Sequence, residues 1–321
     1  MNLLFLGGTN FVGRHAAEAA VAQGHGVTLF HRGSKGPGIV AGAAEIFGDR
    51  EGPLDVLASR DWDAVIDTCG YVPRVIRNSV EALKDRSGRY LFVSTISVYK
   101  ETEDGGLELQ RGEPLETEEV TGETYGPLKV ECEDAVLEGF PEALIVRPGI
   151  IAGPYDPTNR FTHWAARCAE GGELLVPDVK AQPIEVIDAR DLGAFMVEAL
   201  EKKLAGVFDV AGEQTTFGEM IEICASLNPT SKPCWASEEF LEEHGVQFWV
   251  DLPLALPSSE SVGLFRVDSW QAVQSGLRRR PLTETARDTA DWHLANATAS
   301  PARHGIPRER ELELLAALHT A

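Results

Sequence analysis

The stretch Leu3-Leu4-Phe5-Leu6-Gly7-Gly8-Thr9-Asn10-Phe11-Val12-Gly13-Arg14 decides the fold. Leu3 to Leu6 is an apolar run of the length of one buried parallel strand. Two glycines follow. From Phe11 the apolar spacing turns helical: Phe11, Val12, Ala16, Ala19, Ala20 and Val21 recur three and four residues apart until Gly24 ends the pattern. A strand, a tight glycine turn and a helix N-terminus make an anion cradle, because backbone N–H groups can approach the ligand and the helix dipole favours negative charge there. Gly7, Asn10 and Gly13 follow a G-x-x-G-x-x-G spacing with Asn in the middle. Asn tolerates left-handed backbone better than most residues, so the turn is expected to survive the exchange. The context predicts a dinucleotide held by Gly7, Thr9, Asn10, Phe11, Val12 and Gly13.

The remainder of the chain bounds what such a site serves. With 321 residues it can bury a large core. Fifty acidic against 29 basic residues give a net charge of −21. That balance argues for solubility and against a surface built for nucleic acid or anionic lipid; the expected partner is a small-molecule substrate. The cysteines Cys69, Cys132, Cys168, Cys224 and Cys234 are scattered, with no C-x-x-C and no histidine beside them. They read as reduced thiols in a cytoplasmic protein, with neither a disulfide framework nor a metal site. The apolar start is four residues long, has no basic lead and runs straight into the glycine turn, so it reads as a strand and not as a secretory leader. No run reaches membrane-spanning length.

Further strands follow in order. Gly26-Val27-Thr28-Leu29-Phe30 is the second, and its end bears on the cofactor. An acidic residue there would hold the ribose 2′-OH of NAD, whereas a basic one suits the 2′-phosphate of NADP. The chain has His31-Arg32-Gly33-Ser34-Lys35, without a carboxylate, so Arg32 is expected on that phosphate. NADP(H) is thus preferred, with NAD(H) open. Ala44 to Phe47 is the third strand, followed by Asp49 and Arg50, two further cofactor candidates. Residues 62–70 hold the fourth strand, ending at Cys69, Gly70 and Tyr71. Cys69 and Gly70 are expected to line the cofactor and Tyr71 the substrate.

Tyr90 to Val93 is the fifth strand and opens into Ser94-Thr95-Ile96-Ser97, a hydroxyl-rich end where open α/β sheets bind ligands. Residues 100–123 are acidic and aperiodic and read as a long loop at the mouth of the site. Tyr125 and Lys129 then stand four apart at the start of a helical pattern, on one face. A lysine so placed can stabilise the tyrosine phenolate, which suits a general acid/base.

Together the glycine turn, Ser94-Thr95 and Tyr125-x-x-x-Lys129 resemble the short-chain dehydrogenase/reductase superfamily. Within it the chain resembles the extended or atypical branch, the NAD-dependent epimerase/dehydratase family, including its bacterial isoflavone-reductase-like or epimerase-like group. Tyr125-Gly126-Pro127-Leu128-Lys129-Val130-Glu131-Cys132-Glu133 is similar to that branch's Y-G-x-x-K-x-x-x-E, Arg147 to Pro154 to its R-P-x-x-x-x-G-P, and Val186 to Leu192 to its V-x-D-x-R-D-L. The resemblance implies that Thr95 hydrogen-bonds the substrate oxygen, that Tyr125 moves the proton, that Lys129 holds the nicotinamide ribose, and that Pro148 lies by the cofactor. Asn10 departs from the family's middle glycine. Ile96-Ser97 stands where sugar-nucleotide 4,6-dehydratases carry Asp-Glu.

Glu142 to Val146 is the sixth strand, and Val207 to Val210 returns as another. Between them Arg160, Phe161 and Trp164 share helical spacing and are substrate candidates together with Ser97. The expected fold is a doubly wound parallel α/β sheet of the Rossmann type over residues 1–155, with returns near 184–211. A smaller, mainly helical substrate lobe covers 156–321. Residues 297–305 read as a linker before a last helix. The expected activity is hydride transfer between NADP(H) and a carbonyl or secondary alcohol. The alternatives are a sugar-nucleotide epimerase with retained cofactor and a non-catalytic cofactor-sensing or RNA-associated protein on the same fold. A monomer and a homodimer are both compatible with the sequence.

Overall fold

The computed structural model describes residues 1–103, 106–260, 263–296 and 304–320. The chain divides into two compact units. The first comprises Met1–Gly149, Ala189–Ala211 and Val267–Arg278; the second comprises Ile150–Asp188, Gly212–Arg266 and Arg279–Ala321.

The first unit contains strands β1 (Asn2–Leu6), β2 (Gly26–His31), β3 (Ala44–Phe47), β4 (Ala64–Asp67), β5 (Tyr90–Val93), β6 (Leu144–Pro148) and β7 (Gly206–Val210). They form one seven-stranded sheet in the order β7-β6-β5-β4-β1-β2-β3. Every neighbouring pair is parallel. Helices α1 (Phe11–Ala22), α2 (Pro73–Leu83), α3 (Tyr125–Gly139) and α4 (Ala189–Glu201) belong to the same unit. Leu3, Leu4, Phe5 and Leu6 are all at 0% exposure, so β1 is covered on both faces, as its unbroken apolar run demands. Leu4, Leu6, Val65, Tyr90, Phe92 and Ile145 pack with Ile76, Val80, Cys132 and Val136 of α2 and α3.

The chain lays down β1, β2 and β3 to one side and then crosses to β4 on the other. The strand order therefore reverses between β1 and β4, where such sheets bind ligands at their carboxyl ends. Register aligns those ends. Leu6 pairs with Phe30 and Asp67, Asp67 with Phe92, and Val93 with Val146. Gly7, Arg32, Thr68 and Ser94 thus follow from one edge, with Arg147 near the end of β6 at the same edge.

In the second unit, Pro183–Asp188 pairs with Ile150–Ala152 in parallel and with Gln214–Thr216 in antiparallel. Gly172–Pro177 pairs with Ser231–Ala236 in parallel. These strands accompany the expected helices, which include Arg160–Glu170, Phe217–Ala225, Leu282–Asn296 and Arg308–Leu318. Thr216 opens the second of these with a reciprocal capping box to Glu219. Arg280 of the basic run 278–280 pairs with Asp188 and Glu284. The expected linker lies outside the described residues except for His304 and Gly305.

Asp67 is fully enclosed at the end of β4. Arg50 answers it with both Nη atoms, at 2.8 and 2.7 Å, and Tyr90 donates its hydroxyl at 2.7 Å. A buried carboxylate at the strand end requires a countercharge, and Arg50, expected beside the cofactor, supplies it. Burial alone would raise the Asp67 pKa, but Arg50 and the hydrogen bonds from Tyr90 and the Cys69 N–H outweigh burial and lower it. Arg50→Met should cost about 3–5 kcal/mol at neutral pH, because it strands a buried charge. Since the folded carboxyl titrates below its unfolded value, the pair's contribution is full above about pH 4 and is lost as pH falls further. Urea unfolding at several pH values checks this; the parent–variant difference should shrink on acidification.

Candidate active site

The turn after β1 is built by Gly7 and Gly8, at φ +101° and +84°. Asn10 does not take the left-handed role. It is extended, at φ −135° and ψ 144°, and the positive φ falls on Phe11 at 31°. Asn10 is the residue before α1 and makes no side-chain cap. A Cβ on Gly7 would lie 2.8 Å from Thr68 Oγ1, and one on Gly13 would lie 2.7 Å from the same atom and 2.9 Å from the Gly8 backbone nitrogen. The helix start therefore sits directly on the turn and on the end of β4. With no side-chain cap and no acidic residue in its first turn, the start of α1 suits an anion, so these residues fit a dinucleotide pyrophosphate. Thr9 and Val12 are half-buried and Phe11 is buried.

Around this turn the other expected cofactor residues fall as follows. Arg32 is exposed, immediately beyond β2. Asp49 is exposed and uses Oδ1 to accept the Glu51 N–H at 3.0 Å, a local turn contact. Cys69 turns its thiol beneath the glycine turn, with Sγ 3.3 Å from the Leu6 carbonyl and 3.3 Å from Arg50. Burial pushes that thiol's pKa up, so it packs and does not act as a thiolate. Gly70 and Pro148 are both buried at the carboxyl edge.

On the β5 side, Thr95 is 7% exposed. Its Oγ1 accepts the Ser97 N–H at 3.1 Å and lies 3.2 Å from Ser97 Oγ, capping the short turn Ile96–Val98. Helix α3 begins at Tyr125, and its second residue explains its placement. A Cβ on Gly126 would fall 2.1 Å from the Ser97 carbonyl oxygen, so only glycine allows the helix start this close to the Thr95–Ser97 edge. Tyr125 is half-buried, and its ring centroid is 6.5 Å from that of Tyr71, which is 47% exposed.

Lys129 is buried one helical turn beyond Tyr125. Its Nζ donates to the carbonyls of Gly70 and Val93, each at 2.7 Å. It lies 4.0 Å from the Phe92 ring centroid and 5.6 Å from that of Tyr71. Burial lowers its pKa to about 8. Two of its three donors thus hold the ends of β4 and β5, leaving one N–H for any ribose contact.

Four helical residues beyond Lys129, Glu133 meets Arg147 from β6 through two contacts, Nε at 2.9 Å and Nη2 at 2.5 Å. Ser94 donates its hydroxyl to the same carboxylate. Arg147 Nη1 reaches the Tyr99 hydroxyl at 2.7 Å, which in turn faces both Asp209 oxygens at 3.0 Å. The motif matches pointed to Glu133 and Arg147 without showing that they pair; Tyr99 and Asp209 gave no signal. Tyr99–Glu101 and Leu107–Leu109 also form an antiparallel ribbon within the stretch expected as a loop. Gln110 and Arg111 tie its far end to Ser97 and to Asp134 of α3.

Two expected substrate residues are corrected. Phe161 and Trp164 are at 0% exposure in the core of the second unit, and the Trp164 indole N–H is spent on the Pro253 carbonyl at 2.6 Å. Their helical spacing marks the buried stripe of an amphipathic helix. Arg160 is half-buried, with Nε 3.2 Å from Thr158 Oγ1 and its guanidinium 6.0 Å from the Trp249 ring.

A profile of the NAD dependent epimerase/dehydratase family matches residues 3–211. The chain belongs to this family. A curated relative, the chloroplast stem-loop binding protein of 41 kDa b of Arabidopsis thaliana, is 26% identical over 253 residues, 72% of this chain and 64% of its own length. The family member described here thus spans less than two thirds of that relative. Among solved structures, the UDP-glucose-4-epimerase of Stenotrophomonas maltophila with bound NAD gives a TM-score of 0.69 at 17% identity, covering 94% of this chain and all of its own. The UDP-N-acetylglucosamine 4-epimerase of Bacillus cereus gives 0.66 at 16% identity, covering 94% and 98%. At such identities the likeness is one of fold. No helix among the described residues is long and apolar enough to cross a membrane.

Glu133→Gln should destabilise the first unit by about 3–5 kcal/mol, because Arg147 is left buried against a neutral amide. Chemical denaturation of the parent, Glu133→Gln and an Arg147→Met/Glu133→Gln pair checks this. The double variant should recover part of the loss.

Proposed function

We propose that this family member is an NADP(H)-dependent oxidoreductase acting on a carbonyl or secondary alcohol of a small molecule. The observation that carries the reading is the contact of Gly126 with the Ser97 carbonyl, which sets Tyr125 beside the Thr95 edge with Lys129 one helical turn on. When bound, the nicotinamide supplies or accepts the hydride. Tyr125 gives its phenolic proton to the substrate oxygen in reduction and takes it back in oxidation. Thr95 donates its hydroxyl to the same oxygen. Lys129, with its ammonium fixed by the Gly70 and Val93 carbonyls, favours the phenolate of Tyr125 through its charge and offers its remaining N–H to a ribose. Gly7, Gly8, Gly13 and the start of α1 receive the pyrophosphate.

The preference for NADP(H) rests on Arg32, exposed at the end of β2, and on the absence of a carboxylate from residues 31–35. A planar guanidinium binds phosphate bidentately, which a 2′-hydroxyl cannot reciprocate. The stem-loop binding in the Arabidopsis relative's name is not extended to this chain, whose net charge of −21 opposes a nucleic-acid surface.

Five outcomes check the reading. In paired titrations Arg32→Ala should weaken NADP(H) binding selectively and leave NAD(H) binding unchanged; equal losses remove the specificity argument. Tyr125→Phe keeps the ring and should lower turnover by about 10²–10⁴-fold with cofactor affinity intact. Gly126→Ala should lower turnover by about 10²-fold, the cost of an ångström-scale displacement, again without loss of cofactor binding. Turnover of a sugar nucleotide with no added cofactor would instead mark an epimerase, and salt-sensitive gel shifts of stem-loop RNA would mark the non-catalytic alternative.

A further inference from the structure

Away from the carboxyl edge of the sheet, within the second unit, three side chains of different chemistry converge. Glu173 lies on strand Gly172–Pro177 and Cys234 on its parallel partner Ser231–Ala236. Register pairs Cys234 with Leu175, so Cys234, Leu175 and Glu173 share a sheet face by the two-residue period. His319 caps the C-terminus of the last helix, Arg308–Leu318, its N–H donating to the Leu315 carbonyl at 3.1 Å. One ligand atom from each of Glu173, Cys234 and His319 falls within 4.8 Å of the others. The closest recorded approach is His319 Nε2 to Glu173 Oε2 at 3.8 Å.

We infer that Glu173, Cys234 and His319 form a three-ligand site for a thiophilic divalent cation, zinc above all. Thiolate, imidazole and carboxylate are the three ligand types zinc takes, and water completes a tetrahedral shell. Metal–ligand bonds of about 2.0–2.3 Å place tetrahedral ligands roughly 3.3–3.8 Å apart. The carboxylate oxygen and imidazole nitrogen stand a few tenths of an ångström beyond the roughly 3.3–3.5 Å that such a pair takes on tetrahedral zinc. The remaining contraction falls on side chains free to move, since Glu173 and His319 are 46% and 53% exposed.

Two local features favour a cation. The carboxyl-terminal end of the helix bears partial negative charge at His319. The carboxylate of Glu173, with an oxygen within 4.8 Å of Cys234 Sγ, adds negative charge that would repel an unligated thiolate. Ligation releases the thiol proton to solvent and replaces this repulsion with attraction to the metal. The three ligands come from positions 173, 234 and 319, so no short spacing could display them in sequence. The ion would fasten the end of the last helix to the two strands.

The test uses the full chain, stripped with a chelator and titrated with Zn²⁺ against a chromophoric competitor, and separately with Co²⁺. One equivalent of Zn²⁺ should bind. The Co²⁺ form should show a thiolate charge-transfer band, and Zn²⁺ should raise the melting temperature. Cys234→Ser and His319→Ala should each weaken binding by at least the about 10–100-fold that loss of an outer-shell partner costs. Cys234→Ser should abolish the charge-transfer band, and His244→Ala, a histidine of the same unit outside the cluster, should change nothing. Sub-stoichiometric binding, or an affinity unchanged in the Cys234→Ser/His319→Ala double variant, overturns the assignment. Because no cofactor or substrate enters the measurement, its failure leaves the oxidoreductase reading untouched, and the converse also holds.

Discussion

The carboxyl edge depends on one steric constraint: the first turn of α1 rests on the backbone of Gly8 and on Thr68, with no room for a side chain at Gly7 or Gly13. Two left-handed glycines reverse the chain, and the helix start then lies on the turn and on the end of β4. The same contact fixes where Thr68, Cys69 and Gly70 can run. Through the Gly70 carbonyl it also helps fix the Lys129 ammonium. The proposed pyrophosphate cradle and the proposed chemical residues are thus coupled by packing and by a short hydrogen-bonded path, and not by separate local motifs.

Charge burial is the second organising element. Asp67 with Arg50, and Glu133 with Arg147, place ion pairs at the ends of β4 and β6. Such pairs rarely add net stability over apolar packing, but they tolerate few alternative arrangements, since each unpaired partner is costly. Here Glu133 with Arg147 ties β6 to α3, and Asp67 with Arg50 ties β4 to the turn after β3, at the edge where the proposed chemistry takes place. Ser94 joins the Glu133 pair and directly precedes Thr95 in the chain. The network therefore adjoins the hydroxyl proposed to bind the substrate oxygen.

The sheet was legible because its central strands, β1, β4 and β5, are mostly apolar runs that end at a glycine or a hydroxyl cluster. Tyr125 and Lys129 were legible because a spacing of four on a helix fixes their common face. What escaped depended on partners distant in sequence. Arg50 was read beside the cofactor without its ion pair, because nothing local revealed Asp67. Phe161 and Trp164 looked like a substrate face because helical spacing does not say which way a stripe points. The two carbonyls that hold Lys129 come from loop and strand ends 59 and 36 residues away. The strands of the second unit, three to six residues long and interrupted by Pro177, Pro183 and Pro233, carry too little alternation to be read. Asn10 shows the opposite case: the turn survives its presence because the left-handed positions fall on Gly7 and Gly8.

The account's central claim is that the glycine turn of this chain holds a nicotinamide dinucleotide through its pyrophosphate. The direct measurement is a fluorescence titration of the purified protein with NADPH, followed by competition with ADP-ribose, which keeps the pyrophosphate and lacks the nicotinamide. The account predicts saturable binding at one NADPH per chain, displaced by ADP-ribose and abolished by Gly13→Val in a variant that retains its native circular dichroism. Binding unaffected by Gly13→Val, or no saturable binding by the parent protein, would contradict it.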